Sequence, residues 1–491
     1  MSDAIRPMWL HQVEGVRRAC EHPYFAWLWQ MGCGKSRVAI ETLRTHFNRE
    51  KRILRTLILS PPITLNNWSN EWKLYTKIDP SLVQVLSGTG KARVKKFLAG
   101  AFDSDGKPKG GVWVLNYESL LMPDLYEAFL RWRPEAVVYD ESHKLKSPTA
   151  KRSKLAEALA NPYDKKTKRA LPKPLTYLLT GTPVLNSPMD LFMQFLILDG
   201  GATFGGNFFS FRARFMRDLN AGMARDKYFP DWVIRPGAVE EINSLIYHHA
   251  MRVSKEDCLD LPPLVQTTIK VGMTKEQTRL YNEMKKDFIA IIDDKTCVAT
   301  LAITKAQRLM QIASGFIKVV GDEEIPLEDT PKMAALRELL SELAPHSKVI
   351  IWSVWRKNYG EIAKVCQELG LGYAEVFGGL TDAVRTESIR RFNEDPECRV
   401  FSGNPISGGI GINLVVAPYA IFYSRNFSLE ESLQAEARNH RGGSEIHEKI
   451  TRYDIVVENT IDELVQIKLA NKFDMSMNVL RDLSLELKNQ E

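Results

Sequence analysis

Two short segments carry residues that could bind and hydrolyse a nucleotide. The first, QMGCGKS at 30–36, follows an apolar run and precedes a helical pattern. A glycine-rich turn that opens a helix points backbone N–H groups at an anion, so Gly32 and Gly34 predict a phosphate loop. In such a loop Lys35 reaches the β- and γ-phosphates, and Ser36 holds Mg²⁺. A plain glycine turn with a solvated lysine is the alternative, because tryptophan replaces the first glycine of the full pattern.

The second segment, AVVYDESHKLKS, places two carboxylates at the end of a strand-like apolar run. Asp140 suits the Mg²⁺ shell, and Glu141 suits the orientation or activation of an attacking water. An acidic first turn after a helix N-cap is the alternative for this segment alone. A later apolar run ends in Thr-Gly-Thr-Pro. These three motifs rarely occur together in this order by chance.

The elements that must position these residues alternate along the chain. The short apolar runs FAWLW, RTLILS, GVWVLN, AVVYD and TYLLTG are separated by amphipathic stretches, and KVIIWSV, YAEVFGG, CRVFSG, YAIFYS and ITRYDIVV repeat this rhythm later. Such a rhythm predicts parallel sheets with crossover helices, in which ligands gather at the carboxyl ends of the strands. We therefore predict an α/β protein with sheet domains at 1–200 and 331–491 and a mostly helical insertion at 201–330.

Composition narrows the class of protein further. Of 491 residues, 44% are hydrophobic and 26% are charged, which excludes a disordered, collagen-like or coiled-coil chain. The net charge of +6 permits a nucleic-acid partner without requiring one. No apolar run approaches the ~18 residues of a membrane span, and the start lacks the layout of a signal peptide, so we expect no membrane contact. The six scattered cysteines predict reduced thiols in a cytoplasmic setting without structural zinc.

Further motifs resemble those of a known family over nearly the whole chain. They are WLHQVEGVRRA, LILSPPITLNNWSNEW at 57–72, VLNYESL, LLTGTPVLNSPMDLFMQFLIL at 178–198, MRVSKEDCLDLPPL at 251–264, and SGGIGINLVVAPYAIFYSRNFSLEESLQAEARNHRGG. Their order and local sequence look like superfamily-two ATPases, specifically the Swi/Snf-like branch of double-stranded DNA translocases. The resemblance implies two RecA-like domains that use ATP and Mg²⁺.

The resemblance also implies roles for residues outside the two opening segments. Gln12 would read the adenine, and Gly411 and Gln434 would contribute to nucleotide binding. Arg438 and Arg441 would reach the γ-phosphate across an interdomain cleft as arginine fingers. Offsets of four and three from Gln434 place all three side chains on one helical face, for which a solvated basic face is the alternative.

Nucleic-acid contacts are expected from a basic cluster and from the family motifs. Residues 141–175 hold ten lysines and arginines against three acidic residues, which favours sequence-independent binding to phosphates; a solvated loop is the alternative. The expected contact residues are Pro61, Asn67, Trp68, Lys144, Lys146, Thr180, Thr182, Gly409 and Asn413.

These observations predict an ATP-dependent double-stranded DNA translocase that tracks the backbone and displaces or remodels protein–DNA complexes. The expected partners are duplex DNA of any sequence and a DNA-bound protein. We expect a minimal bacterial or phage-type motor, located in the cytoplasm, on the nucleoid, or in the host cytoplasm if viral. A strand-separating DNA or RNA helicase and a nucleotide-gated binding switch with little turnover are the competing functions.

Overall fold

The computed structural model describes residues 7–164, 167–185, 187–223, 230–255, 257–258, 261–293, 299–318, 323–406 and 412–479. The chain forms two compact units. The first contains residues up to Cys258 together with those from Phe473 onward, and the second contains Leu259–Lys472. Within the described residues, no helix is both long and apolar enough to span a membrane.

The first unit is built on a seven-stranded sheet with the order β11-β1-β8-β5-β2-β4-β3, in which all neighbours are parallel. The strands of this unit, including two short antiparallel pairs outside the sheet, are β1 Tyr24–Trp29, β2 Arg55–Leu59, β3 Val83–Val85, β4 Gly111–Leu115, β5 Ala136–Asp140, β6 Tyr163–Asp164, β7 Arg169–Ala170, β8 Leu175–Leu179, β9 Met216–Asp218, β10 Trp232–Ile234 and β11 Ala250–Val253. Its helices are α1 Leu10–Ala19, α2 Lys35–Glu50, α3 Leu65–Tyr75, α4 Gly90–Ala101, α5 Pro123–Trp132, α6 Lys151–Ala160, α7 Asp190–Asp199, α8 Phe208–Phe215 and α9 Ala238–Ile246.

The central strands of this sheet are buried on both faces, which explains their continuous apolar sequence. On one face Leu57 and Tyr139 pack in a core with Phe97 and Phe129. On the other face Trp27 and Ile58 pack in a second core. With both faces covered, the polar chemistry of this unit is confined to the ends of its strands.

The second unit is built on a six-stranded parallel sheet with the order β12-β19-β18-β15-β17-β16. Its strands, with one antiparallel pair outside the sheet, are β12 Leu264–Val271, β13 Phe316–Lys318, β14 Glu324–Pro326, β15 Val349–Trp352, β16 Gly372–Val376, β17 Cys398–Gly403, β18 Tyr419–Phe422 and β19 Ile450–Val457. Its helices are α10 Lys275–Asp293, α11 Ala299–Ala313, α12 Pro331–Leu343, α13 Arg356–Glu368, α14 Asp382–Glu394 and α15 Leu429–Glu436; α16 Ile461–Val479 begins in this unit, and its residues from Phe473 belong to the first unit.

All ten predicted strands are present, and the α/β class with two parallel sheets is confirmed. The stretch 201–330 is less helical than expected, because β11 joins one edge of the first sheet and β12 joins one edge of the second. Most residues of β12 are exposed, and its polar and apolar residues do not alternate in the way that predicts a strand. The boundary between the units at Cys258 falls inside this stretch, and the predicted separate insertion stays a prediction.

Candidate functional site

The predicted nucleotide residues of the first unit follow neighbouring strands of one sheet. Strand β1 leads into the phosphate loop, β8 into residues 180–183, β5 into Asp140 and Glu141, and β2 into Ser60. These four strands are adjacent and parallel. Their carboxyl ends therefore lie along the same edge of the sheet, where parallel α/β folds bind ligands.

The phosphate loop has the backbone geometry that its glycines predict. Gly32 and Gly34 have φ values of 93° and 83°, in the left-handed region that side chains with a Cβ rarely enter. A Cβ at Gly34 would also lie 2.1 Å from Gln12 Nε2. Helix α2 begins at Lys35 with Ser36 in its first turn, so its N-terminal N–H groups and dipole favour an anion in front of the loop. Lys35 Nζ donates to the carbonyls of Trp29 at 3.1 Å and Gln30 at 3.5 Å.

Helix α1 contacts this loop through two side chains. Gln12 is 2% exposed; its Oε1 accepts from the backbone N–H of Trp9, and its Nε2 donates to the carbonyl of Cys33 at 3.5 Å. His11 Nε2 lies 2.9 Å from the same carbonyl, and burial lowers the pKa of His11. The structure thus places Gln12 against the phosphate loop, and its contact with adenine stays a prediction.

Asp140 is held rigidly at the end of β5. Its Oδ2 accepts from Ser60 Oγ at 2.7 Å and from Trp68 Nε1 at 2.9 Å, and its carbonyl accepts from Tyr117 Oη at 2.6 Å. Burial and the adjacent charge of Glu141 raise the pKa of Asp140 above its usual range. A cation near Asp140 would oppose this effect, because it favours the ionised carboxylate.

Glu141 has a left-handed backbone conformation and a carboxylate oxygen that is not hydrogen-bonded by the described residues. Its φ of 52° lies in the left-handed region, which for a non-glycine residue is strained and concentrates at functional sites. Its Oε2 is buried and accepts no hydrogen bond from the described residues. His143 Nδ1 lies 3.4 Å from this oxygen and 3.0 Å from Thr180 Oγ1. Glu141 Oε2 thus keeps its capacity to accept a proton, and its role in activating a water stays a prediction.

The segment after β8 links the phosphate loop to the acidic pair. Thr180 contacts His143, and a Cβ on Gly181 would lie 3.2 Å from the carbonyl of Trp29. Thr180 and Thr182 are 0% and 3% exposed. Both side chains are buried within this segment, and their expected contact with nucleic acid stays a prediction.

The expected DNA-contact segment after β2 is hydrogen-bonded to Asp140. Trp68 is 2% exposed and donates to Asp140, so it positions that carboxylate. Pro61 is buried, whereas Asn67 is half-buried. The contacts of Pro61, Asn67 and Trp68 with nucleic acid stay predictions.

The basic cluster at 141–175 does not form one uniform surface. Lys144 is half-buried, and Lys146 Nζ lies 3.2 Å from Asp190 Oδ2. Lys151 and Lys154 on α6 are exposed. Because α6 returns the chain to the amino end of β8, Lys173, which lies just before that strand, is at the edge opposite the nucleotide residues. Lys144 and Lys146 precede α6 and follow the nucleotide edge directly, and their contacts with backbone phosphates stay a prediction.

Lys173 at the amino edge makes a pH-dependent contribution to stability that can be measured. Its Nζ donates to the carbonyl of Leu198 at 2.7 Å, and burial lowers the pKa of Lys173 from 10.5 to about 8. Between these values the unfolded chain holds the proton and the folded chain releases it, so stability rises with pH. The urea midpoint of the wild type is expected to rise relative to that of Lys173→Met from pH 8 to 10. Parallel pH profiles of the two proteins would contradict this.

The second unit carries the predicted arginines after α15. The expected continuous helical face is wrong, because α15 ends at Glu436, before Arg438 and Arg441. Arg438 is 7% exposed, and its guanidinium donates to the carbonyls of Gln434 at 2.9 Å and Ile412 at 3.4 Å. Arg441 is half-buried. Arg438 therefore connects the residues after α15 to Gln434 and Ile412 from a buried position. Arg441 is the more exposed of the two arginines.

The remaining predicted residues of this unit are partly described. Gln434 is 4% exposed and donates through Nε2 to Glu430 Oε1 at 3.0 Å. Asn413 is exposed, and its carbonyl accepts from Asn393 Nδ2. Gly409 and Gly411 lie outside the described residues. An exposed Asn413 is compatible with the expected nucleic-acid contact, which stays a prediction.

A buried ion-pair network anchors the end of α15. Asp454 lies 3.3 Å from Arg425 and 2.7 Å from Arg452, and Arg452 lies 2.6 Å from Glu436. Burial lowers the pKa of the Arg425 guanidinium. The network connects Glu436, the last residue of α15, to β19. It therefore fixes the start of the arginine segment, which we define as the residues after α15 that include Arg438 and Arg441.

Replacing Asp454 with asparagine is expected to lower the free energy of unfolding by about 3–5 kcal/mol, because two buried guanidinium groups lose their shared carboxylate. Urea denaturation measures the effect. Glu394→Gln is the matched control: its exposed pair with Arg390 is expected to contribute less than about 1 kcal/mol. Equal losses in the two variants would contradict a structural role for the buried network.

The donors at the nucleotide edge fit Mg²⁺. Ser36 offers a hydroxyl oxygen and Asp140 a carboxylate, and neither hydrogen bond to that carboxylate uses Oδ1. These are the hard oxygen ligands that Mg²⁺ prefers, with phosphates and water completing its shell. Among the described residues, no group of three or more His, Cys, Asp or Glu side chains could hold a metal by itself.

Comparison with known proteins identifies the family. The SNF2-related domain family matches residues 29–320, and the helicase conserved C-terminal domain matches residues 331–443. The CHD3-type chromatin-remodeling factor PICKLE of Arabidopsis thaliana is 25% identical over 94% of this chain and 33% of its own length. The SWI/SNF-related matrix-associated actin-dependent regulator of chromatin subfamily A member 1 of Mus musculus is 26% identical over 83% of this chain and 37% of its own length.

The chain thus spans about a third of the length of these two relatives. A solved structure of the Sulfolobus solfataricus SWI2/SNF2 ATPase core in complex with dsDNA aligns with 97% of this chain and 94% of its own chain, at 21% identity and a TM-score of 0.42. The SNF2-related match alone covers more than half of the 491 residues, and the resemblance seen in the sequence motifs is confirmed. The chain therefore belongs to the SNF2-related family of helicase-type ATPases.

Proposed function

We propose that this protein is an ATP-driven translocase on double-stranded DNA that tracks the phosphate backbone and displaces or remodels protein–DNA complexes. The observation that carries the proposal is the hydrogen-bonded nucleotide edge of the first unit. There a phosphate loop with two left-handed glycines lies beside a fixed Asp140 and a strained Glu141. Membership of the SNF2-related family supports the same chemistry.

Hydrolysis is assigned to five groups of this edge and to the arginine segment of the second unit. The N-terminus of α2 and Lys35 bind the phosphates, and Glu141 Oε2 orients the attacking water and accepts its proton. Mg²⁺, when bound with ATP to Ser36 and Asp140, neutralises charge on the phosphates. Arg441 of the second unit is proposed to stabilise the charge that develops on the γ-phosphate, with Arg438 bracing the segment that carries it.

We assign the coupling between ATP hydrolysis and DNA binding to the hydrogen bonds that connect this edge of the sheet to neighbouring segments. Asp140 is bonded to Ser60 and Trp68 at the start of the segment that carries Asn67, and His143 is bonded to Thr180. A change in nucleotide state at Asp140 or Glu141 would therefore act directly on segments proposed to bind DNA. Differential affinity of the two nucleotide states for DNA is what a stepping cycle requires. Contacts to phosphates would make the binding independent of sequence and sensitive to salt.

The test is ATP turnover measured without nucleic acid and with duplex DNA, single-stranded DNA or RNA. We expect strong stimulation by duplex DNA, followed by ATP-dependent displacement of a triplex-forming strand from the duplex. Stimulation mainly by single strands or RNA, with unwinding of a labelled duplex, would instead favour a helicase. Nucleotide-dependent DNA binding without turnover would favour a binding switch.

A further inference from the structure

Two cysteines that are far apart in the sequence meet at the phosphate loop. Cys33 lies between Gly32 and Gly34 and is 0% exposed. Cys258 is half-buried, and its Sγ lies 3.4 Å from Cys33 Sγ and 3.2 Å from the carbonyl of Ser254. Neither cysteine is part of a disulfide. No sequence spacing reveals this pair, because 224 residues separate its members.

We propose that Cys33 and Cys258 form a reversible disulfide that holds the phosphate loop in an inactive arrangement. The bond needs the two sulfur atoms to approach from 3.4 Å to about 2.0 Å. The segments that carry them are already joined, because the N–H of Gln30 donates to the carbonyl of Val253 at 2.9 Å and the N–H of Lys255 donates to the side-chain Oε1 of Gln30 at 3.0 Å. Disulfides of cytosolic proteins are usually transient and redox-sensing, which agrees with a pair that is reduced in the active protein.

A low-molecular-weight disulfide such as oxidised glutathione supplies the oxidising equivalents. The Cys258 thiolate, on the more accessible of the two residues, attacks one glutathione sulfur, forms a mixed disulfide and releases one glutathione thiolate. The Cys33 thiolate then attacks Cys258 Sγ, forms the internal disulfide and releases the second glutathione thiolate. The two protons lost by the cysteines end on the two glutathione molecules, so two protein thiols are oxidised and one disulfide is reduced.

The internal bond would act on the groups that bind phosphate. The carbonyl of Cys33 is the acceptor shared by His11 and Gln12, and Lys35 lies two residues further on. Moving Cys33 Sγ toward Cys258 displaces the turn between two left-handed glycines, whose N–H groups are the proposed phosphate donors. Misplacement of a catalytic group by about 1 Å can lower a rate by about a hundredfold. Oxidation is therefore expected to lower ATP turnover by at least about tenfold, and this effect rests on the proposed function.

The experiment treats the full chain with oxidised glutathione and divides each sample between two readouts. Peptide mass spectrometry under non-reducing conditions reports a Cys33–Cys258 cross-link, and ATP turnover reports its consequence. We expect the cross-link and the loss of turnover to appear together and to be reversed together by dithiothreitol. In Cys258→Ala, turnover before oxidation is expected to match the wild type and to persist after it. Cys366→Ala, which removes a buried cysteine of the second unit, is the matched control and should behave as the wild type does.

Three outcomes would overturn the proposal. They are the absence of the Cys33–Cys258 peptide after oxidation, the presence of that peptide with unchanged turnover, and equal loss of turnover in Cys258→Ala. Failure of the proposed function looks different. In that case the reduced protein hydrolyses no ATP, while the cross-linked peptide still reports on the cysteine pair, and binding of a fluorescent ATP analogue replaces turnover as the measure of the phosphate loop.

Discussion

Replacing Glu141 with glutamine is expected to lower ATP turnover by about 10²–10⁴-fold, the range over which a positioned general base contributes, while ATP binding persists. Glutamine keeps the size of the side chain but cannot accept the proton of the attacking water. Glu141 Oε2 is the oxygen expected to accept this proton, because it accepts no hydrogen bond from the described residues. Phosphate release measures turnover, and a fluorescent ATP analogue measures binding.

A matched control separates this effect from a general loss of charge. Glu118 is an exposed carboxylate of the same unit that pairs with Arg152, so Glu118→Gln is expected to leave turnover within about twofold, as surface substitutions are usually within ±0.5 kcal/mol. A Glu141→Gln protein that binds ATP and hydrolyses it at the wild-type rate would show that another group activates the water. The candidate would then be Asp140, whose pKa burial raises.

The central strands and the two local motifs are predictable from sequence because their signals are local. A buried parallel strand is a short apolar run, and the residues that follow it lie at a known edge of the sheet. The phosphate loop and the pair Asp140 and Glu141 therefore fall where the sequence places them. The edge strands β11 and β12 carry weaker signals, since an edge strand has one neighbour and keeps more polar residues.

The partners of these motifs are not predictable in the same way. Ser60, Trp68 and His143 reach the site only because the sheet orders its strands as β1-β8-β5-β2. Trp68, one of the expected nucleic-acid contact residues, gives no sign in the sequence alone that its indole N–H is directed inward at a carboxylate. The approach of Cys33 to Cys258 likewise depends on β11 lying beside β1, and β11 is itself missed by the sequence patterns.

In the arginine segment of the second unit, the helical spacing of the sequence predicts a shared face that the structure does not have. Offsets of four and three residues place side chains on one face only while the helix continues, and α15 ends at Glu436. Arg438 and Arg441 consequently occupy different environments: the first donates to backbone carbonyls from a buried position, and the second is half-buried. Replacements of the two arginines are therefore expected to differ in their effects on ATP turnover and on stability.

Arg441→Ala is expected to lower DNA-stimulated ATP turnover by about 10³–10⁵-fold, the effect of removing an arginine finger. Arg438→Ala is expected to lower the midpoint of urea denaturation as well, because the carbonyls of Gln434 and Ile412 lose a buried donor. Arg441→Lys retains the charge but loses the planar fork that recognises phosphate, so its turnover should fall between the wild type and Arg441→Ala. If Arg441→Ala kept its turnover while Arg438→Ala lost activity at an unchanged midpoint, the roles assigned to the two arginines would be exchanged, and the buried guanidinium would have to leave its carbonyl partners during each catalytic cycle.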